Sequence, residues 1–130
     1  MIAGLVLLGS GVVMVASTKN RFAAEFAAKL PDYDLAIGWA KGQHQRGWVL
    51  LPDQFKRLSK SGSAMLIGNA PDRVVLFDID EGSDWVRYIG WTERANVHIQ
   101  TMPAINANYE DAMFTERSID AHWQISGTLP

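Results

Sequence analysis

Residues 1–18, MIAGLVLLGSGVVMVAST, carry no charged side chain, and the first charges of the chain are Lys19 and Arg21. Two readings of this stretch are open, and the fold and the function divide on them. A membrane-spanning helix needs about 20 consecutive apolar residues, with a working range of roughly 17 to 25, so this run sits at the lower edge of an anchor. Gly4, Gly9 and Gly11 are compatible with that reading, because glycine is tolerated in membrane helices. A cleavable signal peptide fits less well, since no basic residue precedes the apolar stretch. Basic residues follow the run at Lys19, Arg21 and Lys29, which for an anchor places the rest of the chain on the cytoplasmic side. The competing reading is soluble and cytoplasmic. Residues 3–8 then form a buried strand, and Gly9-Ser10-Gly11 is a tight turn that opens a helix.

In that second reading the order of strand, Gly-x-Gly and helix resembles the start of a dinucleotide-binding fold, where glycines let the backbone approach a pyrophosphate at a helix N-terminus. The resemblance makes Gly9 and Gly11 candidate cofactor-binding residues and Asp32 or Asp34 the ribose-binding acid. The third glycine of the pattern is replaced by Met14.

Downstream of the run, one domain over residues 19–130 is the economical organisation, with no internal repeat and no linker. The chain is 48% hydrophobic and 20% charged, which is a globular composition. A net charge of -2 argues against an electrostatic nucleic-acid binder, because phosphate contacts need concentrated lysine and arginine. With no cysteine there is no disulfide, thiolate nucleophile or thiolate zinc site. Five tryptophans make the domain tryptophan-rich, and Trp39, Trp48, Trp85 and Trp91 are candidate partner-binding residues.

Periodicity predicts an amphipathic helix over 20–30, with Phe22, Phe26 and Leu30 on one stripe and Pro31 ending it. Alternation of Leu35, Ile37 and Trp39 predicts a strand over 33–40. A polar turn, a strand over 48–51 and a short helix from Pro52-Asp53 to about Ser59 follow, with Phe55 and Leu58 inward and Gly62 placed to stop that helix. An antiparallel meander is expected next, with strands over 64–68, 73–80, 85–92 and 96–102. Val75, Phe77 and Ile79 share one face of the second of these, and Val97 and Ile99 one face of the last. Asn108 is placed to cap a last helix with Tyr109, Met113 and Phe114 inward, and 121–126 reads as a final strand. The fold class is therefore α+β: a hydrophobic segment and an amphipathic helix, then a mostly antiparallel meander with one or two short helices.

VVLFDIDEG, residues 74–82, resembles the first motif of haloacid dehalogenase-like phosphohydrolases, a hydrophobic strand running into Asp-x-Asp. The resemblance implies Asp78 as the phosphoryl-accepting nucleophile and Asp80 as the general acid/base, both beside a magnesium ion. It covers nine residues. The family continues with Gly-Thr where this chain has Glu81-Gly82, and only fifty residues remain for its later motifs. Asp78, Asp80, Glu81 and Asp84 also form an acidic cluster, without the spacing of a helix–loop–helix calcium site. His44, His98 and His122 have no metal-ligand spacing, and Ser59, Ser61 and Ser63 do not form a nucleophile elbow. Lys56, Arg57 and Lys60 beside Phe55 suit anionic headgroups if the anchor is real.

The reading these residues favour is a non-catalytic, membrane-tethered accessory or interaction subunit, with a protein partner and no cofactor. The alternative is a small soluble phosphohydrolase or nucleotide-binding domain that uses Asp78 and Asp80 or the Gly9–Gly11 turn.

Overall fold

A computed structural model describes residues 17–83, 85–99 and 113–128, with side chains placed from Ala24 onward except at 113, 114 and 116. The uncharged run up to Ala16, with Gly9 and Gly11, therefore lies outside the described residues, as do Asp84 and the proposed cap Asn108 with Tyr109. The chain divides into two compact units, residues 1–31 and 32–130.

Helix α1, Ser17–Lys41, crosses that division and contains Pro31. Two sequence expectations are corrected here. Pro31 does not end the helix, and residues 33–40 are helical and not a strand. The apolar alternation at 35, 37 and 39 coexists with a second period: Tyr33, Ala36, Ile37 and Ala40 fall at i, i+3, i+4 and i+7 and are all buried, while Leu35 is 64% exposed. Burial of that stripe offsets an interior proline, which costs a helix about 3 kcal/mol. In the first unit Phe26 is buried and Leu30 half-buried, in keeping with the predicted stripe.

Among the described residues the second unit is built on a six-stranded sheet: β1 (Gly47–Leu50), β2 (Ser63–Ile67), β3 (Val74–Glu81), β4 (Val86–Thr92), β5 (Met113–Ser118) and β6 (Trp123–Thr128). The spatial order is β1-β2-β3-β4-β6-β5, and every neighbouring pair is antiparallel. The α+β class and the antiparallel sheet are thus as the sequence indicates. Between β1 and β2 a 3-10 helix, Asp53–Leu58, buries Phe55 and Leu58 as expected. It ends at Ser59, whose backbone is extended, and not at Gly62. Gly62 instead takes a left-handed φ of 80° in the turn before β2, where its carbonyl accepts from Leu51 N–H. Met113 and Phe114 belong to β5 and not to a helix. The described part of the predicted 96–102 strand, 96–99, is a turn with no strand pairing, entered through Asn96 at φ 59°. Asparagine is one of the few non-glycine residues that adopt this region at low cost.

β3 is central and buried on both sides, with Val74, Leu76 and Phe77 at 0% exposure. One face packs on residues 32–41 of α1. Tyr33 meets Phe77 edge-on at 5.1 Å and Trp123 at 5.6 Å, and its hydroxyl donates to the Leu58 carbonyl at 2.8 Å. Burial raises the Tyr33 phenol above its ordinary value of 10.0. The folded state therefore holds this proton more tightly than the unfolded chain does. The associated stability is complete below pH 10 and is lost as pH rises toward the folded value, at up to about 1.4 kcal/mol per pH unit. Urea unfolding at several alkaline pH values should show this slope, and Tyr33→Phe should make it shallower.

On the opposite face, Ile67, Val74, Leu76, Tyr88 and Ile99 form a second buried cluster. Ile99 reaches it because β4 has Gly90 beneath. A Cβ at 90 would stand 2.3 Å from Ile99 Cδ1 and 3.2 Å from Leu76 Cδ2. Gly90→Ala should cost about 1–3 kcal/mol by overpacking. In an Ile99→Val background, which lacks that Cδ1, thermal unfolding should show the cost reduced by about 1 kcal/mol.

Candidate functional site

Two sequence features meet at the lower end of β3. The ladder places Asp78 opposite Tyr88 and Asp80 opposite Arg87, with Ile79 unpaired in a bulge between them. Tyr88 and Arg87 are consecutive, so their side chains leave opposite faces of the sheet, and the two aspartates do the same. Without the bulge, Asp78 and Asp80 would share a face, as Asp-x-Asp chemistry at one phosphate requires. The bulge separates them. Asp80 accepts from the Glu81 N–H at 2.9 Å and lies 3.9 Å from Arg87. Asp78 accepts from the Ser61 N–H at 3.0 Å and the Ser61 hydroxyl at 2.7 Å, and its backbone carbonyl accepts from Lys60 N–H at 2.7 Å. Its carboxylate thus fixes the 60–63 turn against β3.

This pairing shapes a depression of about 350 Å³ on the face that α1 does not cover, lined by Trp48, Ser61, Ser63, Asp78, Glu81, Val86 and Tyr88. The upper part of that face is closed by residues 97–99, which the Gln124 side chain clasps. Its amide donates to the Val97 carbonyl at 2.9 Å, and its oxygen accepts from Ile99 N–H at 3.0 Å and the Thr115 hydroxyl at 2.8 Å. The lower part is open. There β1, paired on one side only among the described residues, presents Trp48 at 51% and Leu50 at 63% exposure. By register both share the face of Met65 and Ser63. A larger depression, about 400 Å³, adjoins Met65, Ile67 and Asn69. Arg46 beside it is tied to Asn69 and to the carbonyls of Gln43 and Gln45.

Among the predicted partner-binding residues, Trp48 is the one on this open face. Trp85 is 37% exposed and lies against Gly82, with the Arg87 guanidinium 5.5 Å from its ring. Trp39 is half-buried on α1. Trp91 is buried: the His122 ring stacks on it at 6.3 Å and the Lys41 ammonium stands 5.2 Å from its centroid. His122 Nδ1 also bonds the Thr92 carbonyl at 2.8 Å. The three histidines fall in different loops, and among the described residues no group of three or more His, Asp or Glu is arranged to hold a metal. Lys56, Arg57 and Lys60 each pair with a carboxylate, of Asp53, Asp32 and Glu81 respectively.

Sequence reasoning missed Ser61 and Tyr88 as members of this surface. Tyr88 is 6% exposed, and burial followed by the charge of Asp78 raises its phenol above the ordinary 10.0. It is therefore a neutral hydroxyl at physiological pH. The chain matches no family model, and neither a curated protein nor a solved structure matches it.

Proposed function

We propose that this chain acts without chemistry of its own, by binding a protein partner at the open sheet face that carries Trp48 and Leu50. The observation that carries the reading is the placement of two large apolar side chains, both more than half exposed, side by side on the edge strand and beside a concavity. Covering such a side chain is worth about 1.5–3 kcal/mol, and tryptophan and tyrosine are the residues that most often dominate binding energy at interfaces. Separation of Asp78 from Asp80 by the bulge, and the engagement of Asp78 with Ser61, favour this reading over phosphoryl transfer. The uncharged opening residues support a membrane tether, with the domain on the cytoplasmic side, as the setting for that binding. Among the described residues no helix is long and apolar enough to cross a membrane.

A photo-crosslinking amino acid placed at 48, at 50 and at the exposed helix position 35 tests the interface in cells that make the protein. A discrete adduct from 48 and 50 but not from 35 is expected. Equal adducts from all three positions, or none, would contradict the interface.

A further inference from the structure

Resting on the interface reading above, we propose that the depression beside Trp48 receives an arginine side chain from an extended segment of the partner protein. The lining combines an aromatic wall, Trp48 and Tyr88, with the Asp78 and Glu81 carboxylates. Glu81 already has Lys60 at 3.7 Å. Asp78 is different. Its two oxygens each accept one hydrogen bond from Ser61, and it has no cationic partner among the described residues. A carboxylate offers about four acceptor positions, so each oxygen keeps one for an incoming donor.

The second observation is independent of the acids. Tyr88 is more than nine-tenths buried and lines the depression, and its hydroxyl, with no hydrogen bond to a described residue, is not sealed from solvent. A hydroxyl so placed is open to a donor that enters the depression. A guanidinium supplies what these groups lack. Its planar fork donates to both oxygens of a carboxylate, a further N–H reaches a phenol oxygen, and its face stacks on an indole.

The geometry of β1 points to an extended segment as the source. Among the described residues β1 pairs with β2 only, and Trp48 and Leu50, at alternate positions, are the exposed side chains on the depression's side. A strand added along that edge projects every second side chain over the same face, which brings one of them to the depression.

The experiment uses the full-length protein in detergent and two capped pentapeptides, acetyl-Val-Thr-Arg-Thr-Val-amide and the same peptide with neutral citrulline in place of arginine. The readout is the indole N–H resonance of Trp48, assigned through Trp48→Phe. The arginine peptide should bind about tenfold more tightly than the citrulline one, as expected for a charge-assisted, stacked contact. Asp78→Asn should abolish that preference. Because this change also touches the Ser61 turn, Tyr88→Phe provides a second variant that keeps the ring, and it should weaken the arginine peptide several-fold while the other indole resonances stay in place. Equal binding of the two peptides at Trp48 would remove the arginine and leave the interface. A preference that survives Asp78→Asn would also overturn the proposal. Failure of both peptides to move Trp48, or self-association of the chain through β1 in their place, would overturn it too, and the crosslinks at 48 and 50 then decide separately whether the interface stands.

Discussion

Phe77→Ala should lower the stability of the protein by about 3–5 kcal/mol, the range for truncating a fully buried phenylalanine. Phe77 is 0% exposed at the centre of β3, and its ladder partners are Ala64 and Ile89. Its ring meets Tyr33 edge-on at 5.1 Å and lies 6.4 Å from Trp123. Removing it empties the junction between sheet and helix, and the neighbouring rings are too rigid to fill the space. Domains of this kind are stable by about 5–15 kcal/mol, so a single truncation removes a large share. Thermal melts should show a fall of more than about 12 °C, taking about 4 °C per kcal/mol for a unit of this size. Phe77→Leu should lose about half as much. A loss below about 1 kcal/mol would mean that Tyr33 and Trp123 do not pack on this ring as described.

Gln124→Leu should cost about 3 kcal/mol although it conserves volume and adds apolar surface, because each buried backbone group left unsatisfied costs about 1–3 kcal/mol. The side chain is 3% exposed and bonds both the Val97 carbonyl and the Ile99 amide. It plays the part that a neighbouring strand's backbone plays elsewhere in the sheet. Leucine offers neither donor nor acceptor. Residues 97–99 should then release, uncovering Leu76 and Val74, and native-state hydrogen exchange at Ile99 should accelerate well ahead of exchange in β3. Unchanged protection at Ile99 would show that the clasp is dispensable.

The same residues explain what was legible in the sequence. The strands around Leu66, Val75 and Ile89 could be read because short runs rich in apolar residues lie between turn residues, and Phe55 and Leu58 marked the short helix. At 33–40 two periods overlap. Leu35, Ile37 and Trp39 alternate like a strand, while the helical stripe that is buried includes Ala36 and Ala40, whose small side chains give little hydrophobic signal. At 97–99 the inward residues were right, with Ile99 at 0% exposure, but their partner is a glutamine side chain and not a strand. Period alone cannot distinguish the two. At 113–114, apolar residues that fit a helix face equally fit a strand opposite Thr128 and Gly127.

For the site, Trp48 was legible as a large aromatic on a short strand. Its neighbours were not. Membership of Tyr88 and Ser61 depends on which face Asp78 takes, and the bulge at Ile79 decides how the chain proceeds from there. One extra residue in a ladder reverses the facing of everything after it, and Asp-Ile-Asp contains no signal for that insertion. The same bulge divides an acidic pair that looked catalytic in one dimension into a turn anchor on one face and a partner of Arg87 on the other.

On the proposed function Trp48 stands exposed for a partner, whereas Trp91 and Trp123 are core. Fluorine NMR of protein labelled with 5-fluorotryptophan tests this directly, comparing the purified chain with the same chain inside cells that make it. The resonance of Trp48 should shift in the cell, while those of Trp91 and Trp123 stay where they are. A Trp48 resonance identical in both settings, or five resonances that move together, would contradict the claim.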